Sequence, residues 1–469
     1  MEMTMMTIEL DDVQGNILLG YRLPIARYTF LHIGDADSGR RFIDLALSDI
    51  TTSELWSEAK ARSTFNIGFT YRGLEALDVP GKSLGSFPSE FREGMLDRAD
   101  LLCDRGSSAP DHWDSIWRSG KVQVWAAIHA IDRQALDERA AWLESCRKGA
   151  GNVEVVGVQD AAALTIDGRI SPKEHFGYTD GYGNPVIAGA PDRRRSIAGR
   201  GKLVDGDWQP VATGEFLFGY RDEGEELPRA PQPAILSRNG TFLVYRKLHQ
   251  NVASFRRFLH DVGAAYPGGP AVLAAKIAGR WSDGTPLSLS PDHPDPALAA
   301  DADRASDFRY EDDPIGLKCP LGAHMRRMNP RDALGFDGKL TNRYRILRRG
   351  LPYGEYPPDP DPGDDTGEHG IVFMAINASI ERQFEFVQRQ WVSHGNDFFQ
   401  GDDPDPLIGY HDGTHKTVIQ GDPADPIARP PFVCGQLPQF VETRGGDYFF
   451  VPSLTALRLM ARGLDGEWR

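Results

Sequence analysis

The run "YTFLHI" (Tyr28–Ile33) gathers aromatic and β-branched residues in a short span, which predicts a half-buried strand. "SGRRFIDLAL" follows from Ser38 with apolar residues at helical spacing, which predicts a helix with one packed face. The same strand–helix pair returns as "GTFLVY" (Gly240–Tyr245) and "ASFRRFLHDV" from Ala253. Each pair is preceded by a near-copy of one segment, "GNILLGYR" (Gly15–Arg22) and "GEFLFGYR" (Gly214–Arg221), offset by 199 residues. The TFL triplets are offset by 212 and the RRF triplets by 216. Three similar pieces in one order, with slowly growing offsets, predict a duplicated domain with loop insertions.

Further strands are expected at "STFNIGFTY" (Ser63–Tyr71), "VQVWAAIHA" (Val122–Ala130) and "GIVFMAINA" (Gly370–Ala378). A helix should follow the last, because Ile380, Phe384, Val387 and Trp391 share one face. Elements mixed in this way fit an α+β fold, with helices packed on antiparallel sheets. The polar, Gly-rich "RRRSIAGRGKLVDGDWQP" places the junction near residues 186–212, giving domains of 1–200 and 210–469. Two long loops, Pro286–Pro314 and Leu351–Gly370, are rich in Pro and Asp and read as too polar to pack a core. The closing "TALRLMARGLDGEWR" reads as a terminal helix of the fold.

Composition narrows the function. The 469 residues, 40% hydrophobic and 25% charged, suffice for two or three globular domains. A net charge of −15 argues against nucleic-acid partners and anionic membranes. No stretch approaches the roughly 18 apolar residues of a membrane span. "MEMTMMTIELDDVQGN" has neither a basic start nor a long apolar run, so no export signal is visible and a cytoplasmic location is expected. Cys103, Cys146, Cys319 and Cys434 lie far apart, with no CxxC pair for zinc and no CxxCH for covalent haem. They are expected to be reduced thiols.

Three dense motifs could carry chemistry. "HFGYTDGYGNP" (His175–Pro185) presents one carboxylate, Asp180, in a loop broken by Gly177, Gly181, Gly183 and Pro185. Taken alone, it reads as a turn. "CPLGAHMRRMNPR" (Cys319–Arg331) sets His324 beside Arg326, Arg327 and Arg331, a positive cluster suited to binding carboxylates. "RILRRGLPYG" (Arg345–Gly354) suggests a strand delivering a cation at its end, or an ordinary surface arginine cluster. HExxH, GxSxG and GxxxxGK[ST] are all missing, and "HDGTH" (His411–His415) has an Asp-Gly centre that argues for a loop without metal. A hydrolase using Asp180 as its carboxylate would fit the first motif alone.

Together these motifs resemble the dye-decolourising peroxidases, in their longer fungal and bacterial form. "DDVQGNILLGY", "FNIGFTYRGLEAL" and "FREGMLDRADLLCD" resemble the family's first domain, and "GYTDG" its G-x-x-D-G signature. The resemblance covers nearly the whole chain and implies a pair of ferredoxin-like α+β domains, with haem mainly in the second. It implies one haem b per chain and a peroxidase that reduces hydrogen peroxide through a ferryl state. Dyes, phenolics or similar donors, small or bulky, would be oxidised by a monomer or homodimer. A haem-binding or haem-handling protein with incidental peroxidase activity is the alternative.

Carried over residue by residue, Asp180 becomes the distal acid–base group and Arg348 its charge stabiliser, with the adjacent Arg349 as the other choice. His324 becomes the axial iron ligand. "DPLIG" (Asp405–Gly409) resembles the segment supplying the acid behind it, which points to Asp405, with Asp402 and Asp403 in the same loop. Arg331 is the implied propionate partner, with Arg327 behind it. Ile371 and Phe373, two apart on a strand, would roof the distal pocket or simply pack the core. Trp391 resembles a position that relays electrons to bulky dyes at the surface, and Tyr344 is a second candidate for that relay.

Overall fold

The computed structural model describes residues 7–56, 60–191, 196–356 and 364–463. The N-terminal half runs β1 (Ile25–Ile33), α1 (Ala36–Ala46), β2 (Ser63–Phe69), β3 (Val124–Ala130), α2 (Arg133–Ala150) and β4 (Val153–Ala162). Its strands lie side by side as β2-β3-β1-β4, all antiparallel. The C-terminal half repeats the scheme. It runs β5 (Thr241–Gln250), α3 (Val252–Gly263), the edge strands β6 (Leu347–Arg348) and β7 (Leu351–Tyr353), β8 (Gly370–Asn377) and β9 (Val441–Val451). Its order is β6-β8-β5-β9, with β7 also on β8. In the N-terminal half β1 sits between β3 and β4, and in the C-terminal half β5 sits between β8 and β9, which is the ferredoxin-like arrangement. One antiparallel contact, Phe450 of β9 on Phe69 of β2, joins the halves into a nine-stranded sheet.

The sequence repeats map onto equivalent places. TFL lies in β1 and β5, and RRF in α1 and α3, where Phe42 and Phe258 are buried. Asp35 and Asp132 start α1 and α2 by accepting the N–H of Ser38 and Ala135, each at 2.8 Å. The repeated glycines, Gly15 and Gly214, are needed for close approach. A Cβ on either would come within 2.4 Å of a carbonyl oxygen, that of Thr52 or Tyr220.

Two expectations change. Residues 380–392 are not an ordinary α-helix but two π-helical stretches, Ile380–Glu385 and Val387–Val392. The wider turn brings Gln383 and Glu385 inside beside Ile380 and Phe384. Glu385 there accepts two bonds from Arg98 at 2.6 Å and one from Tyr448 at 2.8 Å. The loop 286–314 also packs more than its composition suggests. Leu287, Phe308 and Tyr310 form a small core with Trp281, Cys319 and Ala323, under the segment that carries His324.

The four cysteines are free thiols. Among the described residues no helix is long and apolar enough to cross a membrane. Parts of the expected junction (192–195), of the acidic loop (357–363) and of the two termini (1–6, 464–469) lie outside the described residues. The closing helix is present as Leu454–Arg462.

Candidate active site

The loop carrying Asp180 follows the N-terminal half in sequence but is anchored on the C-terminal half. Glu174 accepts the N–H groups of Phe176 (2.9 Å) and Tyr178 (2.8 Å) and the amide of Gln250 on β5. His175 donates from Nε2 to the Tyr353 carbonyl of β7 at 2.9 Å. Gly177, Gly181 and Gly183 have φ of 95°, 99° and 81°, in the region that favours glycine. A Cβ on any of them would meet nothing within 4 Å, so backbone conformation rather than crowding selects glycine here.

Arg348 ends β6, paired with Ala375 of β8. Asn184 clamps its backbone, accepting its N–H at 2.9 Å and donating to its carbonyl at 3.2 Å. Its guanidinium donates to Asp180 Oδ1 at 2.7 Å and to the Tyr182 carbonyl at 2.8 Å. Oδ1 also accepts the Gly181 N–H at 2.6 Å, and among the described residues Oδ2 has no donor. Half of the Asp180 side chain (51%) is exposed, although it lies deep in the molecule, because that surface faces a cavity of about 1110 Å³. Burial alone would raise its pKa. The Arg348 charge and hydrogen bond, the Gly181 N–H and the His324 charge outweigh burial and hold Asp180 below the ordinary aspartate range.

His324 opens a short helix, α4 (His324–Met328), and lines the same cavity. Its Nδ1 donates to Asp405, 3.1 Å from Oδ2 and 3.2 Å from Oδ1, which fixes the ring and leaves Nε2 free of that contact. Asp405 is fully buried (0%) and takes the N–H groups of Leu407 (2.9 Å) and Ile408 (3.0 Å) on Oδ1. Burial pushes its pKa up, but His324, Arg327 and the Ile408 N–H outweigh it, and the carboxyl is held below its ordinary value. Asp403 turns elsewhere, to Lys416 at 2.9 Å. The HDGTH stretch is a loop, and His411 Nε2 donates to the Asp405 carbonyl at 2.9 Å.

Ile371 and Phe373 share one face of β8 and line the cavity, as does Tyr344. Trp391 is buried (2%) behind that wall, 5.0 Å from the Tyr344 ring, with its indole N–H on Asp397 at 3.0 Å. It makes no direct surface for a dye. Arg349 points away from Asp180, donating to the carbonyls of Asn16 (2.7 Å) and Ile17 (2.8 Å) in the first repeat segment.

Arg327 needs correction as a cofactor contact. It is buried away from the cavity wall, and its nitrogens donate to the carbonyls of Gly322, Trp391, His394 and Asp403. Its role is to tie the His324 helix to the Asp405 loop. Two other arginines, unassigned from the sequence, do reach the cavity. Arg345 and Arg280 line it with Arg331, and burial, reinforced by Arg331, lowers their pKa values to about 9 and about 10. Among the described residues none of the three pairs with a carboxylate. Arg345 stood at the head of a quoted motif, but only the fold reveals that it turns inward.

Sequence and structure comparisons bear on this geometry. The family profile "DyP dimeric alpha+beta barrel domain" matches residues 12–162, and "Dyp-type peroxidase, C-terminal" matches residues 299–400. "Peroxidase 2" of Mycetinis scorodonius is 30% identical, over 96% of this chain and 87% of its own. The chain belongs to the dye-decolourising peroxidase family. A solved ancestral D-type dye-decolourising peroxidase superposes with a TM-score of 0.81 at 28% identity, covering 96% of this chain and 99% of its own. A dye-decolourising peroxidase solved with 2,6-dimethoxyphenol gives 0.79 at 26% identity, covering 97% of this chain and all of its own (100%).

The chain is therefore a hydrogen-peroxide-dependent peroxidase of a haem-using family. The site fits that group. Arg280, Arg331 and Arg345 donate to backbone carbonyls but, among the described residues, meet no carboxylate, so their positive charges on the cavity suit an anionic occupant. A carboxylate-backed histidine on the same cavity is the donor set of an axial iron ligand. The cavity, about 1110 Å³, is slightly larger than the roughly 300–1,000 Å³ usual for ligand pockets.

Proposed function

We propose that the cavity holds one haem b per chain and that this enzyme oxidises dyes and phenolic donors at the expense of hydrogen peroxide. The observation that carries this reading is the meeting of two preset pairs, Asp180–Arg348 and His324–Asp405, on one cavity. His324 Nε2 would ligate the iron, and Arg331, Arg345 and Arg280 would hold the propionates. Held there, a haem would supply the redox chemistry: two-electron reduction of peroxide and oxidising power for the donor. Asp180 Oδ2 takes the near proton of the entering peroxide and delivers it to the far oxygen as the O–O bond breaks. Arg348 stabilises the negative charge that develops there and keeps Asp180 ionised. Ile371 and Phe373 keep the distal side apolar, so few waters compete with peroxide.

Purified protein should show a Soret band that responds to a single equivalent of peroxide. A chain that cannot take up haem would sink the reading. Asp405→Asn should retain haem, raise its ferric/ferrous potential and lower activity about 10–100-fold, because His324 loses its charged partner. Spectroelectrochemical titration measures the potential, and an unchanged value would mean that Asp405 does not tune the ligand.

Bulky donors need a route outward, and the Tyr344–Trp391 contact offers one from the cavity wall. Trp391→Phe should lower turnover of a bulky azo or anthraquinone dye several-fold while sparing 2,6-dimethoxyphenol. Equal losses on both would show that the substitution disturbs packing rather than a relay.

A further inference from the structure

The Arg348 guanidinium is held by two acceptors, Asp180 Oδ1 at 2.7 Å and the Tyr182 carbonyl at 2.8 Å. The second of these belongs to a residue set between two glycines, Gly181 (φ 99°) and Gly183 (φ 81°). Glycine leaves the backbone free on both sides of Tyr182, and neither glycine has a side chain to pin it. Before this span the loop is fixed by the Thr179 N–H on the Ser282 carbonyl (3.0 Å) and the Asp180 N–H on the Pro172 carbonyl (2.9 Å). After it, Asn184 grips the Arg348 backbone. Within it, the Gly181 N–H serves Asp180 itself and the Gly183 carbonyl takes only a 3.3 Å bond from Arg345. The Tyr182 carbonyl therefore needs an anchor, and its own side chain supplies one.

That side chain reaches a different segment. Its hydroxyl donates to the Ala299 carbonyl at 2.7 Å, at the end of the short helix Pro296–Ala299. Its ring carries the Arg280 guanidinium, 4.8 Å from the centroid. Gly284 makes room for the ring, since a Cβ there would come within 2.6 Å of it. Arg280 is fixed in turn by the carbonyls of Gly284 (2.7 Å) and Ala305 (3.1 Å), and its Nε meets the sulfur of Met325, the residue after His324. Asp180, Tyr182, Arg280 and Arg348 all line the one cavity. Contacts thus run without a break from Arg280, a cation suited to an anionic occupant, through the Tyr182 ring and carbonyl to Arg348 and Asp180.

We propose that Tyr182 is a positioning residue, which holds Arg348 on Asp180 and ties that hold to Arg280. Arg348 is itself a cation on an anion-binding cavity, and without a second fixed acceptor it could turn to the anion instead of to Asp180. The proposal rests on the peroxidase reading for the work that Asp180 and Arg348 do, although the contacts that carry it do not.

The test compares Tyr182→Leu, which lacks ring and hydroxyl, with Tyr182→Phe, which keeps the ring on Arg280. In the haem-loaded enzyme, stopped-flow peroxide activation by Tyr182→Leu should be about tenfold slower, the loss expected for one hydrogen bond to a charged group. Its acid limb should move to higher pH, because Arg348 does more than any other group to keep Asp180 ionised. The other charges acting on Asp180, His324 from α4 and Glu174 from its own loop, are left in place. Tyr182→Phe should move the limb less, and in an Arg348→Leu background Tyr182→Leu should move it no further. Two readouts do not depend on turnover. Transfer of haem to apomyoglobin should be about fivefold faster in Tyr182→Leu, as loss of one cation–π contact implies, and Arg280→Met should then add little. A crystal structure of haem-loaded Tyr182→Leu should show Arg348 displaced from Asp180. Arg348 still seated on Asp180 in that crystal, or haem-transfer effects of Tyr182→Leu and Arg280→Met that add in full, would overturn the proposal. Arg348 displaced with the acid limb unmoved would count instead against the catalytic reading of Asp180 and Arg348, and would support the positioning role.

Discussion

Asp180→Asn should slow peroxide activation by about 10²–10⁴, the usual worth of a positioned acid–base group, or roughly 3–5 kcal/mol. The substitution suits the geometry. Asparagine keeps the shape, its carbonyl oxygen can still accept from Arg348 and the Gly181 N–H, and Oδ2 alone is replaced by an amide. That amide cannot take the peroxide proton. The loop should stay in place, because Glu174 and His175 anchor it independently on Gln250 and Tyr353. Stopped-flow decay of the resting Soret band, with one equivalent of peroxide, reads the rate. A wild-type rate would mean that the carboxylate is no base and that the loop serves only as a turn.

How far the site could be read in advance depended on what kind of feature carried it. Features encoded over a few adjacent residues were legible. Alternation and spacing marked β1, β2, β3, β5 and β8, and the duplicated GNILLGYR and GEFLFGYR segments marked two equivalent halves. Glycines around Asp180 marked a shaped loop, and the structure gives them positive φ. Features that depend on the direction of a side chain were not legible. Arg348 and Arg349 are neighbours of one type, and only the pairing of β6 with β8 sends one to Asp180 and the other to Asn16. For the same reason Arg327 was expected behind Arg331 to face an anion, yet it is spent on four carbonyls, while Arg345, not assigned from the sequence, lines the cavity. The π-helical turns escaped notice because Ile380 and Phe384 satisfy an α-helical pattern equally well. What the apolar pattern does not show is that Gln383 and Glu385 are also buried, each with long-range partners.

Arg348→Leu should slow peroxide activation at every pH, by about 10²–10³, comparable to removing one preorganised charge stabiliser. It should also move the acid limb, and the sign follows from what holds Asp180 ionised. Burial raises its pKa, and Arg348 is the largest influence lowering it, ahead of the Gly181 N–H and His324. In the wild type the competent carboxylate is therefore present to a pH below the roughly 3.9 of a free aspartate, and activity is lost only as pH falls through that lowered value. Without Arg348 the burial effect is opposed by the weaker influences alone, the pKa rises, and the limb moves to higher pH. The backbone clamp from Asn184 needs only main-chain atoms of residue 348, so leucine should preserve the fold of β6. Because the two groups are 2.7 Å apart and act on one proton, their losses should not add. The double variant Asp180→Asn/Arg348→Leu should be little slower than the worse single one and should lack the limb altogether. An acid limb unmoved in Arg348→Leu, or fully additive losses in the double variant, would show that the arginine acts apart from Asp180.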